Sequence, residues 1–202
     1  MIVDLSDDAL VRLRVNKTRL KSTESIDLVQ AHREVGKAIA RAFAEHLSIE
    51  EYPIEHVTGL STGFRIQVGR EPIILALLRA GLFLAEGIRE SIPGSSLVLL
   101  DGHEKPLPTM PALDRPLLLV DGVINTGTSI RPLIDKALAT GARNVLVAAL
   151  VAHRPGLEDL ARDYPQVDFL VARVSDHGYL GRGGTDTGAR LFGTTTWSTE
   201  RS

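Results

Sequence analysis

Cysteine is absent from all 202 residues. That removes disulfides, thiolate nucleophiles and cysteine-based zinc sites together, and it fits a reducing compartment such as the cytoplasm. Neither sign of charge dominates, since 23 Lys and Arg stand against 25 Asp and Glu, a formal net charge of −2. No basic excess points to nucleic acid, and no charge block marks a disordered tail. The 6 histidines show no H-x-x-x-H or similar ligand spacing. No apolar run approaches the roughly 18 residues needed to cross a bilayer. The opening Met1-Ile2-Val3-Asp4-Leu5-Ser6-Asp7-Asp8 is acidic where a secretion signal is basic and then apolar. The expectation is a soluble cytoplasmic protein that touches neither membrane nor nucleic acid.

What is present reads as one domain, by a soft prior of about 150 residues per domain. In residues 26–47, apolar side chains recur at Ile26, Val29, Val35, Ile39, Phe43 and Leu47, near the helical period, after Ser22 and Thr23 as candidate caps. Two strand-like pieces follow, 54–60 and 64–68, split by Ser61-Thr62-Gly63, which predicts a hairpin. Residues 1–70 thus read as an N-terminal helix and hairpin. Beyond Pro72 the pattern changes to short apolar runs at 73–78, 96–100, 116–120, 145–151 and 167–174, with helical candidates at 82–91, 129–139 and 157–163 between them. Leu117-Leu118-Leu119-Val120 does not alternate, as a strand of a half-exposed antiparallel sheet would. Continuous apolar strands interleaved with helices predict an α/β fold, a doubly wound, mostly parallel sheet with helices on both faces over 71–175. Two stretches resist assignment: 101–114, with Pro106, Pro108 and Pro111, and the Gly- and Thr-rich segment after Asp176. Long loops of this kind are usually functional or mobile.

The sharpest feature is Leu117-Leu118-Leu119-Val120-Asp121-Gly122-Val123-Ile124-Asn125-Thr126-Gly127-Thr128-Ser129-Ile130. A buried strand delivers Asp121 at its carboxyl end, where open α/β sheets bind ligands. A turn follows, and then a helix beginning near Thr128 or Ser129, whose free N–H groups and positive dipole end favour a phosphate. Thr126, Thr128 and Ser129 add hydroxyl donors, and Gly127 lets the backbone approach closely. The same Thr-Gly-Thr-Ser is also what caps a helix after a buried strand. The segment is no Walker loop, lacking Gly-Lys-Ser/Thr, and no dinucleotide fingerprint, lacking G-x-G-x-x-G.

Residues 120–129 resemble the phosphoribosyl diphosphate loop of the type I phosphoribosyltransferases, which runs acidic-x-x-x-x-Thr-Gly-small-Ser/Thr after a strand. Leu78-Arg79-Ala80-Gly81-Leu82 is similar to the diphosphate loop of the uracil branch of that family. Gly178-Tyr179-Leu180, continuing through Asp186, Gly188, Arg190, Phe192, Gly193 and Thr194, is similar to that branch's C-terminal uracil segment. The likeness is good over 72–194. It implies the type I phosphoribosyltransferase fold, with 176–202 as a base-binding hood over the core. It also implies transfer of the 5-phosphoribosyl group from phosphoribosyl diphosphate to a pyrimidine base. Uracil is the first expectation, giving UMP and diphosphate in pyrimidine salvage. The alternatives are another heterocyclic acceptor in a specialised pathway, or a regulator that binds phosphoribosyl diphosphate without turnover.

The resemblance implies roles for individual residues. Arg79 binds the departing diphosphate, with Ala80 and Gly81 presenting backbone amides to the same group. Asp121 anchors the ribose, and Gly122, Asn125, Thr126, Gly127, Thr128 and Ser129 complete the donor site. Tyr179, Leu180, Gly184 and Thr185 form the base pocket, and Asp186 lies near the ribose or the metal. Arg79, Asp121 and Asp186 are thus the catalytic candidates. Taken alone, Tyr179 reads as core packing and Asp186 as a turn former. Mg2+ is the implied cofactor, bound through the diphosphate with no direct protein ligand, and a homodimer or higher homo-oligomer is the implied assembly. The chain departs from the branch in placing Asp121-Gly122 where Asp-Pro is usual, Asn125 for Ala, Arg182 for Pro, Thr185 for Gly and Ala189 for Asp. Its 101–114 loop also lacks the Tyr-Arg pair that closes on the diphosphate, leaving His103 or Lys105 to substitute.

Overall fold

A computed structural model describes residues 1–109, 114–179, 181 and 183–197. In chain order the elements are β1 (Ile2–Asp4), α1 (Ala9–Arg19), α2 (Ser25–Phe43), β2 (Ile49–His56), β3 (Gly59–Ile66), β4 (Ile73–Leu77), α3 (Leu82–Ser91), β5 (Ser96–Leu100), β6 (Leu117–Ile124), α4 (Arg131–Ala139), β7 (Val145–His153), α5 (Arg154–Asp163), β8 (Asp168–Ser175) and α6 (Thr187–Leu191). Strands β2 and β3 form a separate antiparallel hairpin. The other six make one sheet in the order β1-β8-β7-β6-β4-β5, with every neighbouring pair parallel.

The unbroken apolar runs follow from that topology. Successive residues of a strand face opposite sides, and here both sides are covered. Leu75, Leu117 and Leu119 join one apolar cluster with Leu133 and Ile134 of α4 and Leu157 and Leu160 of α5. Ile74, Leu118 and Val120 join the opposite cluster with Val11 and Val15 of α1, Val35 and Ile39 of α2, and Leu84 and Ile88 of α3. The chain leaves β4 outward to β5 but builds from β6 in the other direction through β7 and β8. The order therefore reverses between β4 and β6, the switch point where such sheets open a crevice at their carboxyl ends. Among the described residues, no helix is long and apolar enough to cross a membrane.

Four local expectations give way. The first strand, β1, was not foreseen: it is three residues long and exists by pairing along β8, with the amide of Phe169 donating to the Met1 carbonyl. The hairpin turns at Val57-Thr58, with His56 opposite Gly59, which carries φ 124°; Ser61-Thr62-Gly63 lies within β3. In α2 the buried face starts at Leu28, while Ile26 is 84% exposed. The helix after the phosphate turn starts at Arg131, later than Ser129, because the amides of Ile130 and Arg131 first fold back on the Gly127 carbonyl.

Candidate active site

At the switch point, β6 outruns its neighbour. Its ladder with β4 ends at Ala76–Val120, whereas its ladder with β7 continues to Ile124–Ala152. Asp121 is therefore not the strand's last residue, as expected, but the first beyond the reach of β4. The space left there is filled by the loop after β4. A side chain at Gly122 would place its Cβ 2.7 Å from the Ala80 Cβ and 2.8 Å from the Ala80 carbonyl oxygen. Gly81 is closed in the same way from below by the carbonyls of Val120 and Leu77. The two segments thus interlock backbone against backbone, and the Leu78–Arg79 peptide between them and β4 is cis.

Asp121 is half-buried and has no cationic partner among the described residues. The amides of Val123 (3.4 Å) and Gly122 reach it. Burial outweighs them and pushes its carboxyl up to about 6, from an ordinary 3.8. A desolvated carboxylate of this kind gains from any hydroxyl that donates to it.

The turn itself closes around a cavity of about 110 Å3 lined by Asp121 and residues 123–130. Thr126 and Thr128 share a hydroxyl–hydroxyl hydrogen bond of 2.7 Å at its mouth. Gly127 takes φ 80° with Leu160 packed against its back, so a side chain there meets both backbone strain and a clash. Arg131, the first residue of α4, is tied to Asp163 at the end of α5 at 2.6 Å, which steadies the helix start facing the cavity. Asn125 is the exception in the turn. Its side-chain oxygen is buried without a hydrogen-bond partner, beneath Gly178.

The C-terminal segment folds back over this crevice. Asp186 caps α6, accepting from the Ala189 amide at 2.6 Å, and also pairs with Arg79 at 3.4 Å. The turn-forming reading of Asp186 therefore holds, and its carboxylate also faces the Arg79 loop, with Gly188 close against Arg79. Arg190 donates to the Leu20 carbonyl at 2.7 Å and Ser25 to the Leu191 carbonyl at 2.6 Å, which docks α6 onto the α1–α2 junction. Tyr179 lines a second cavity of about 310 Å3 beneath this segment, with its hydroxyl 3.4 Å from that of Thr187. Leu180 lies outside the described residues, as does Arg182. Gly184 and Thr185 sit exposed on the short turn Gly183–Thr185, away from the cavity lining. The two cavities share Val123 and Ile124, the end of β6.

The sequence reading passed over most of this second cavity. Its lining includes Arg19, Arg173, Arg190, His32, His153 and His177. Only Arg173 carried a local signal, as a charge inside the apolar run 167–174. His32 is buried, and its Nδ1 donates to the Leu28 carbonyl at 2.8 Å. Burial, aided by Arg190, lowers its pKa to about 4. The ring is thus neutral, with Nε2 as its acceptor. In the 101–114 loop, Lys105 pairs with Asp101 at 2.8 Å, and Lys136 donates to the carbonyls of His103 and Lys105. Among the described residues, neither His103 nor Lys105 is joined to the rest of the site.

A carboxylate and a phosphate-sized turn at the switch point, with an arginine loop interlocked beside them and a cavity under a C-terminal flap, define a type I phosphoribosyltransferase. The solved AQ2163 protein from Aquifex aeolicus superposes with a TM-score of 0.83 at 22% identity, over 98% of this chain and 100% of that one. The adenine phosphoribosyl transferase from Trypanosoma brucei has the same fold, with a TM-score of 0.55 at 18% identity over 88% and 87%. The sequence model for uracil phosphoribosyltransferase matches residues 5–194. A uracil phosphoribosyltransferase of Thermus thermophilus is 30% identical over 210 residues, spanning 96% of this chain and 100% of its own. The chain belongs to the uracil phosphoribosyltransferase family.

Two outcomes follow from the geometry. Because the folded protein raises the Asp121 carboxyl, its ionised form disfavours folding. Stability falls as pH rises from about 4 to about 6 and stays lower above. Asp121→Asn should therefore stabilise the ligand-free protein at pH 7.5 by about 2–3 kcal/mol, with the gain vanishing towards pH 4 in thermal melts. Gly122→Ala should cost about 1–3 kcal/mol in denaturant titration, because the added methyl meets backbone that has no room to give.

Proposed function

We propose that this chain transfers the 5-phosphoribosyl group of phosphoribosyl diphosphate to a pyrimidine base, uracil in the first instance, giving UMP and diphosphate. The carrying observation is the juxtaposition at one switch point of the Asp121 carboxylate, the small turn cavity and the Arg79 loop. Family membership over nearly the whole chain supports the same reading.

On this reading the 5-phosphate sits in the turn of Asn125, Thr126, Gly127, Thr128 and Ser129, held by hydroxyls and the start of α4. Asp121 accepts from ribose hydroxyls, which relieves its desolvation. Arg79 and the amides of Ala80 and Gly81 take the diphosphate, a guanidinium being matched to phosphate oxygens. Gly122 keeps these two halves in contact. The base lies beyond Ile124, against Tyr179 and beneath the described part of the C-terminal segment. A ring nitrogen of the base attacks C1 of the ribose and forms the new C–N bond. The C1–O bond breaks, its electron pair leaves with diphosphate, and the nitrogen's proton passes to solvent. Positive charge develops on the sugar, so positioning and charge stabilisation matter more than a strong base.

Magnesium is the metal we assign to the donor. Among the described residues no three carboxylates or histidines gather to cage an ion. Magnesium ordinarily takes one or two carboxylates together with substrate phosphates, which suits the donor's phosphates beside Asp121 and Asp186. When bound it neutralises charge on the leaving diphosphate. Residues 1–202 would act as one catalytic unit in the cytoplasm, in keeping with the absence of cysteine. Pairing into a homo-oligomer has support in the exposed apolar side chains of and beside the hairpin: Ile49, Val57, Leu60, Phe64 and Val68.

Incubation with magnesium, phosphoribosyl diphosphate and uracil should release diphosphate and form UMP. Arg79→Ala should lower kcat/KM by about a hundredfold or more, the scale of losing one transition-state donor. Asp121→Asn should weaken donor binding at least tenfold by calorimetry. If that variant binds phosphoribosyl diphosphate as well as wild type, the assignment of the turn is wrong.

A further inference from the structure

The wall that α2 gives to the cavity under the C-terminal segment holds a polar group that the transfer chemistry leaves unused. His32 lines that cavity although it is only 1% exposed. Its Nδ1 lies 2.8 Å from the Leu28 carbonyl, one turn back along the helix. A carbonyl only accepts, so Nδ1 carries the proton and Nε2 keeps a lone pair. Burial holds the ring in that neutral form. No described residue donates to Nε2. Among the described residues, the sealed side-chain atom without a partner is Asn125 Oδ1 and not His32 Nε2. The small exposure that His32 retains therefore reaches Nε2, and the space it meets is the cavity.

A buried acceptor is costly until something donates to it, and its neighbours spend their protons elsewhere. Thr18 and Ser175, the other buried polar side chains of the lining, donate to the carbonyls of Val15 at 2.7 Å and His177 at 3.0 Å. Arg190, the cation nearest in effect on the ring, is turned to the carbonyls of Leu20 and Thr18. A base can supply the missing proton. On the transfer reading its N1 faces the ribose beside Asp121, which turns the N3 edge towards the cavity walls. In uracil that edge presents N3–H between two carbonyl oxygens; in cytosine N3 is itself a bare acceptor. Guanidinium groups only donate. Whatever the arginines of this lining meet, they cannot take the N3 proton, and His32 Nε2 can. A space of about 310 Å3 is at the small end for ligand sites and leaves one ring little room to avoid that wall.

We infer that His32 is a specificity-determining residue, whose Nε2 accepts the N3–H of uracil and meets cytosine acceptor against acceptor. The inference rests on the phosphoribosyl-transfer reading above and deepens it by naming a side chain that selects the base. A site built around a hydrogen bond rejects the analogue that cannot make it, because the protein's own group is then left unpaired. The reaction is unchanged in its balance: N1 bonds to C1, diphosphate leaves with the electron pair, the N1 proton goes to solvent, and N3 keeps its own.

The test uses the nucleotides UMP and CMP as probes, so that it needs no turnover. Both are titrated by calorimetry into wild type, His32→Leu and His32→Gln, with phosphoribosyl diphosphate titrated in parallel. Wild type should bind UMP at least tenfold more tightly than CMP. His32→Leu removes the acceptor and should erase most of that ratio by weakening UMP. His32→Gln, whose amide can turn either its oxygen or its NH2 to the cavity, should keep UMP and gain CMP. Phosphoribosyl diphosphate should bind all three within twofold. In wild type with isotope-labelled histidine, UMP should shift the nuclear magnetic resonance of the unprotonated His32 nitrogen. That measurement needs no variant, so a substitution that fails to fold leaves the inference open to refutation. A wild-type ratio below tenfold overturns it and leaves the transfer reading standing. So does a ratio that survives both substitutions, an equal loss of UMP and CMP in His32→Leu, a loss that falls on phosphoribosyl diphosphate, or a His32 nitrogen that UMP leaves unmoved. If wild type binds neither UMP nor phosphoribosyl diphosphate, both readings fall.

Discussion

Strand β6 sits between β4 and β7 but is matched in length only to β7, and the site depends on that mismatch. Where β4 stops, β6 has a free edge, and Asp121 is the first residue on it. The chain leaving β4 turns immediately and presses Ala80 against Gly122, while Gly81 lies against the Val120 carbonyl. Gly81 meets only backbone and Gly122 meets the Ala80 methyl and carbonyl, so neither position has room for a side chain. The carboxylate, the arginine loop and the turn after β6 therefore share one rigid frame. Nothing soft separates them, which is what holding a sugar diphosphate at two ends requires.

The frame sets two opposite electrostatic environments a few residues apart. On the turn side a carboxylate is half-buried with amides for company, and desolvation disfavours its ionised form. On the hood side, arginines crowd a cavity with no acid on its lining. The first is costly in the free protein and is relieved by hydroxyl groups that donate to it. Binding energy is thus stored where groups are left unsatisfied, at the expense of stability. The hood connects the two. Asp186 caps its own helix and reaches Arg79, so the segment that covers the second cavity also touches the loop proposed to take the leaving group.

Much of the fold was legible because both faces of the sheet are covered. Burial on both sides makes β4 and the first half of β6 continuous in apolar residues, and such runs between amphipathic stretches admit few architectures. The predicted β5 and α3 coincide with the observed Ser96–Leu100 and Leu82–Ser91. The errors fall where local pattern competes with pairing. Three residues at the N-terminus have no strand signature of their own and form β1 only because β8 offers an edge. Ser61-Thr62-Gly63 looks like a turn, yet register across β2 puts Gly63 opposite Tyr52 and the turn at Val57-Thr58. Ile26 fits the helical period but lies on the face that nothing covers.

For the site, the division follows the physics of contact order. Sequence alone determined the phosphate turn, because a strand, a Thr-Gly-Thr-Ser run and a helix start are consecutive in the chain and their geometry is local. It also determined the arginine loop and the Asp186 segment as motifs. Only the tertiary structure decided that Arg79 and Asp186 meet, 107 residues apart. The same is true of the second cavity, whose three arginines come from α1, β8 and α6. Each of those residues, read in its own neighbourhood, is an ordinary surface or helix charge. They come to surround one space only where the sheet's carboxyl end and the returning C-terminal segment pack together, a long-range contact that no local stretch of the chain records.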